Sequence, residues 1–122
     1  MHILLVEDNE LNIELMKRIL AKENYDVSFA RNGQEAVDYF QTNHFDLILM
    51  DVQMPVMNGL EACRNIREIE KTTGEHIPIV ALTAHSFGDT IEECFAVGMD
   101  SFVTKPVKPA ILREEILRYK KD

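Results

Sequence analysis

Short, mainly apolar runs alternate along this chain with longer stretches whose apolar positions recur every three or four residues. The runs fall at residues 2–7, 25–30, 46–50, 77–82 and 101–103. Runs as uniform as "LILM" and "IVAL" predict strands covered on both faces, as in a parallel sheet. Between them, Leu11, Leu15, Ile19 and Leu20 form one helical stripe, and Leu60, Cys63, Ile66 and Ile69 another. Ala36, Val37 and Phe40, then Ile91 and Phe95, then Ile111, Ile116 and Leu117 mark three more.

Helix boundaries are signalled as well. Asn32 precedes Glu35, Asn58 precedes Glu61 and Asp89 precedes Glu92, each pair at capping-box spacing. Pro109 fits the first turn of the last helix, and Gly74 and Gly98 stand where the third and fourth should stop. Five such β/α units predict one α/β domain over residues 1–122. Its expected architecture is a flavodoxin-like, doubly wound, five-stranded parallel sheet in the order 2-1-3-4-5 with five helices.

In such sheets chemistry collects beyond the carboxyl ends of the strands, at the switch point between strands 1 and 3. Strand 1 runs into Glu7 and Asp8, strand 3 into Asp51, strand 4 into Thr83, and strand 5 into Thr104 and Lys105. Strand 2, at the sheet edge, ends in Ala30 and Arg31 instead. Three converging carboxylates repel: a pair about 4 Å apart interacts by roughly 4 kcal/mol at an effective dielectric near 20. A bound cation and the Lys105 ammonium are the two visible remedies. An all-oxygen site suits Mg²⁺ or Mn²⁺ and disfavours zinc. A carboxylate held beside such a cation can act as a nucleophile toward phosphorus, with Lys105 neutralising developing charge and Thr83 donating a hydrogen bond. Asp51 is the expected phosphoryl acceptor. Each feature alone has a plainer explanation, such as a helix cap for Glu7 or Asp8 or a surface role for Lys105. The four strand ends together outweigh it.

Charge and composition narrow the partners. With 21 acidic and 13 basic residues the net charge is −8, which argues against direct nucleic acid binding or anionic lipid contact. Cys63 and Cys94 stand alone, without ligand spacing, and read as buried thiols in a reducing cytoplasm. No apolar run approaches a membrane span. The glycines form neither G-x-G-x-x-G nor a P-loop.

The segments "LLVEDNELN", "LILMDVQMPVMNG", "IVALTA" and "FVTKP", in this order and spacing, resemble the receiver domain of two-component response regulators. Their style is especially similar to receivers of hybrid histidine kinases and multistep phosphorelays. The resemblance implies that Asp51 is the phosphoacceptor and that Glu7, Asp8, Asp51 and the backbone carbonyl of Gln53 hold Mg²⁺. It implies further that Thr83 is the switch hydroxyl, Lys105 the phosphate-contacting lysine and Phe102 the switch aromatic. Gln53 and His85 match positions that tune dephosphorylation, and the Lys105–Pro106 peptide bond is expected to be cis. Glu7 stands where many receivers carry Asp.

The function expected is a phosphorylation-controlled signalling switch, not a turnover enzyme. A sensor histidine kinase or histidine phosphotransfer domain would donate the phosphoryl group, and an unidentified downstream protein would read the changed face between strands 4 and 5. A phosphatase of the aspartate-nucleophile type would need a general acid two positions past Asp51, where Gln53 stands. A flavin or nucleotide binder on this fold needs amide donors after strand 1, where "EDNE" would repel phosphate. An interaction-only receiver is disfavoured because no key position is missing.

Overall fold

The computed structural model describes residues 1–84 and 89–120. Five strands, β1 (His2–Val6), β2 (Asp26–Ala30), β3 (Leu47–Asp51), β4 (Ile79–Thr83) and β5 (Ser101–Thr104), form one parallel sheet in the order β2-β1-β3-β4-β5. They alternate with α1 (Glu10–Ala21), α2 (Gly33–Thr42), α3 (Gly59–Glu70), α4 (Asp89–Ala96) and α5 (Pro109–Tyr119). This is the architecture that the apolar runs predict.

The uniform runs arise because β1, β3 and β4 are covered on both sides. Successive side chains point to opposite faces of the sheet. Leu4, Val6, Ile48, Met50, Ile79 and Ala81 therefore meet α2, α3 and α4 in one core. Ile3, Leu5, Leu47, Leu49, Val80 and Leu82 meet α1 and α5 in the other. Cys63 and Cys94 are buried free thiols in the first core, and burial pushes Cys63 up to about 11.

Three helical stripes differ from expectation. In α1 the sheet covers Ile13, Met16, Ile19 and Leu20, while Leu11 and Leu15 are 81% and 42% exposed. Leu11 and Leu15 also satisfy helical spacing with Ile19, so periodicity alone does not identify the covered face. Likewise Phe95 of α4 and Ile111 and Leu117 of α5 lie largely outside, and Leu112 joins Ile116 inside.

Side-chain caps form where the spacing places them. Asn32 accepts from the Glu35 N–H and Asn58 from the Glu61 N–H, both at 2.9 Å. The first helix is capped by Asn9, not Asp8: its Oδ1 accepts the Asn12 N–H at 3.0 Å. Pro109 opens α5, and Gly74 and Gly98 take positive φ in the turns after α3 and α4. The cap expected of the Asp89 side chain, like His85, lies outside what is described.

Gly59 shows why α3 can start against the end of β3. Its N–H donates to the Val52 carbonyl at 2.9 Å, and a Cβ there would sit 2.3 Å from the Asp51 carbonyl oxygen. Only a residue without a side chain permits that approach. The N-terminus of α3 thereby fixes the backbone of Asp51.

Candidate functional site

Each functional side chain stands at, or within two residues of, the carboxyl end of a central or flanking strand. Asp51 and Thr83 are the last residues of β3 and β4, while Glu7 and Lys105 follow β1 and β5 directly. Backbone bonds set these ends side by side. Val52 N–H donates to the Leu82 carbonyl at 3.2 Å, and Lys105 N–H to the Thr83 carbonyl at 2.7 Å. Together Glu7, Asp8, Asp51, Gln53, Thr83 and Lys105 line a cleft of about 200 Å³. A larger hollow, about 460 Å³, lies at the other end of the sheet around Phe45, His76 and Tyr119, away from this chemistry.

Lys105 is the electrostatic centre. Its ammonium lies 3.0 Å from Asp51 Oδ2 and 3.3 Å from Glu7 Oε2. Glu7 and Asp51 are 1% and 4% exposed, so two acids share one cation in a poorly solvated place. Burial and the charge of Glu7 push the Asp51 carboxyl up to about 6, against the hydrogen bond and charge of Lys105, which pull it down. Burial lowers Lys105, but its contacts with Asp51 and Glu7 outweigh that and hold it above its ordinary value. The other Asp51 oxygen, Oδ1, accepts the Gln53 N–H at 3.3 Å.

Glu7, Asp8 and Asp51 each offer a carboxylate oxygen, and these oxygens lie within 4.8 Å of one another. Three acids against one ammonium leave excess negative charge at a set of hard oxygen donors. That donor set fits Mg²⁺ or Mn²⁺ and not a metal that prefers nitrogen or sulfur.

The family pattern described as "Response regulator receiver domain" matches residues 3–117. The chain belongs to that family. Hybrid signal transduction histidine kinase I of Dictyostelium discoideum is 43% identical to the receiver over 119 residues, covering 93% of this chain and 7% of that protein. Histidine kinase 5 of Arabidopsis thaliana is 39% identical over 141 residues, 96% of this chain and 15% of that protein. This chain thus spans a small part of those relatives.

Among solved structures, the receiver domain of Ssk1 in complex with the histidine phosphotransfer protein Ypd1 of Saccharomyces cerevisiae is 34% identical. Its TM-score is 0.92, over 98% of this chain and 88% of that one. The receiver domain of sensor histidine kinase PA1611 from Pseudomonas aeruginosa, with magnesium in its active-site cleft, is 37% identical. It superposes with TM-score 0.89 over 97% of this chain and 95% of that one.

Two further expected residues have a place in the fold. The Lys105–Pro106 peptide bond is cis. Phe102, half-buried on β5, packs against the α3/α4 core and meets Phe95 edge-on with ring centroids 6.4 Å apart. Asn9 and Asn12, which the strand-end reading passed over, both line the cleft. The signal was present: two Asn three positions apart after an acidic pair is the spacing of a cap and the residue it caps.

Proposed function

We propose that this receiver is a Mg²⁺-dependent phosphorylation switch whose acceptor is Asp51. The observation that carries the reading is the convergence of Glu7, Asp8, Asp51, Thr83 and Lys105 from four strand ends onto one cleft. At neutral pH Asp51 is mostly ionised, and one of its oxygens attacks phosphorus of a phosphohistidine. A P–O bond forms and the P–N bond breaks, its electron pair returning to the ring nitrogen. The imidazole leaves neutral, keeping the proton on its other nitrogen. Lys105 balances charge on the transferred group, and the Thr83 hydroxyl donates to it. Asp8, Asp51 and the Gln53 carbonyl, with Glu7 beside them, would hold Mg²⁺, which would supply further neutralisation of the phosphoryl oxygens.

Phe102 and Thr83 form the switch. The acyl phosphate draws the Thr83 hydroxyl toward it, Phe102 turns into the space vacated, and the β4–β5 face presents a changed surface to a downstream protein. Gln53 at the cleft rim controls the approach of hydrolytic water, as does His85. Moving such an equilibrium from 1:99 to 99:1 takes about 5.5 kcal/mol of differential stabilisation. The reaction is self-modification followed by slow hydrolysis, not turnover of a diffusing substrate. Among the described residues no helix is long and apolar enough to cross a membrane. The buried free thiols Cys63 and Cys94 are in keeping with the reducing compartment of a cytoplasmic signalling domain.

Intact-mass measurement after incubation with acetyl phosphate is the direct test. One added phosphoryl group in Mg²⁺ and none in a chelator is expected; labelling undiminished by the chelator would remove the cation from the reading.

A histidine phosphotransfer domain, the partner of the similar Ssk1 receiver, is the donor we favour. Such a donor must place its ring over the cleft, so it also covers the adjoining face of α1. Leu11 and Leu15 are uncovered there, and Leu15 borders a small hollow with Lys105, Pro106 and Val107. Replacing both leucines with Asp should slow transfer from a phosphorylated donor domain at least tenfold and leave labelling by acetyl phosphate within twofold. Equal loss with both phosphodonors would move the docking surface elsewhere.

A further inference from the structure

Glu7 is nearly inaccessible, so the fate of each of its oxygens can be followed. A carboxylate has about four lone-pair sites, two per oxygen. Oε1 accepts from the Asn9 backbone N–H and from Nδ2 of Asn12, each at 3.3 Å. Oε2 has Lys105 at 3.3 Å. Both sites of Oε1 are therefore taken, whereas Oε2 is turned to Lys105, with the Asp51 carboxyl also in hydrogen-bond reach of Glu7. Asn12 is itself held: its backbone N–H is bound by the Asn9 cap, and its side chain is half-buried in the wall between the cleft and the hollow under Leu15.

We propose that Asn12 is a positioning residue of the metal site, taking up Oε1 of Glu7 so that Oε2 is the oxygen presented to Lys105 and the cation. This deepens the Mg²⁺-dependent reading above and rests on it. The reach matters. Glu7 has one methylene more than Asp, and that length lets its carboxylate span from the first turn of α1 to Lys105. Without the Asn12 amide, one site of a buried carboxylate loses its donor, and Oε1 is left with the Asn9 N–H alone while Oε2 keeps Lys105. The carboxylate's orientation toward the cation is then no longer fixed. Partners that orient a ligand from behind are typically worth about 10–100-fold in metal affinity.

The experiment is a double-mutant cycle read by Mg²⁺ titration calorimetry on the unphosphorylated protein. Asn12→Leu, which keeps the shape of the side chain, should weaken Mg²⁺ binding about tenfold; Asn12→Ala should do the same by truncation. In a Glu7→Asp background the shorter carboxylate does not reach Asn12, so the same substitutions should change the affinity less than twofold. A purely structural role for Asn12 would lower thermal stability equally in both backgrounds without this coupling. Unchanged or tighter Mg²⁺ binding by Asn12→Leu, or equal weakening in both backgrounds, would overturn the inference while leaving the metal site standing. No Mg²⁺ binding by the wild type would overturn both.

Discussion

Asp51→Asn is expected to take up no phosphoryl group and, at the same time, to be more stable than the wild type. Removing the nucleophile abolishes the adduct because the amide nitrogen and oxygen of Asn do not attack phosphorus at a useful rate. The gain in stability follows from the carboxyl held up at about 6. Against an ordinary Asp near 3.9, the folded protein binds this proton more tightly than the unfolded chain. Stability from Asp51 is therefore fully present below about pH 4 and is lost as pH rises through about 6, a swing of roughly 3 kcal/mol. Asn mimics the protonated form at every pH. Urea unfolding at pH 7.5 should show the variant more stable by roughly 2–3 kcal/mol, the gap closing by pH 4. Saturating Mg²⁺ should narrow the gap at pH 7.5 by stabilising the wild type alone. A variant less stable than the wild type at pH 7.5 would mean that Lys105 more than compensates the buried charge. Retained labelling would put the acceptor at another residue.

Arg67→Met should cost about 3 kcal/mol of folding stability, the size expected when one member of a buried ion network is removed. Arg67 lies at the far end of the sheet from the cleft. Its Nη1 donates to Glu70 Oε1 at 2.6 Å and to the Ile77 carbonyl at 2.8 Å, and Nη2 to Asp100 Oδ2 at 3.0 Å. Nε and Nη2 both reach the Gly98 carbonyl, at 3.0 and 2.8 Å. Glu70 is 4% exposed, so its charge has little water to fall back on. The two acids in turn hold backbone N–H groups: Glu70 Oε2 accepts from Ile77 and Asp100 Oδ2 from Ile79. This one guanidinium thus joins α3 to the segment entering β4 and to the turn before β5. Met retains the apolar stem, which isolates the loss of the head group. Urea unfolding gives the magnitude, and amide exchange at Ile77 and Ile79 gives the place, where protection should fall first. A loss below about 1 kcal/mol would show that water replaces the guanidinium adequately.

The sheet and its order were legible in the chain because apolar runs without polar interruption have few other uses in a domain of this size. The strand-end residues were legible for a related reason. Topology fixes where the carboxyl ends of β1, β3, β4 and β5 lie, so Asp51, Thr83 and Lys105 are placed together by a rule that needs no coordinates. The caps at Asn32 and Asn58 were equally local, since a side-chain oxygen and an N–H three residues on meet through helical geometry alone.

What the sequence did not determine were choices between equivalent local solutions and contacts between residues far apart. Leu11 and Ile13 are both apolar residues in the first turns of α1, and only the angle at which the helix lies on the sheet sends Ile13 inward and leaves Leu11 in solvent. Glu7 reads as one more acid until packing buries it and gives one oxygen to Asn12 and the other to Lys105. Arg67 and Asp100 are 33 positions apart, and nothing in either neighbourhood announces their pairing. Periodicity and strand order follow from local geometry and are written along the chain. The face a helix buries, and the partner a buried charge finds, depend on which surfaces are brought against it, and only the assembled fold decides that.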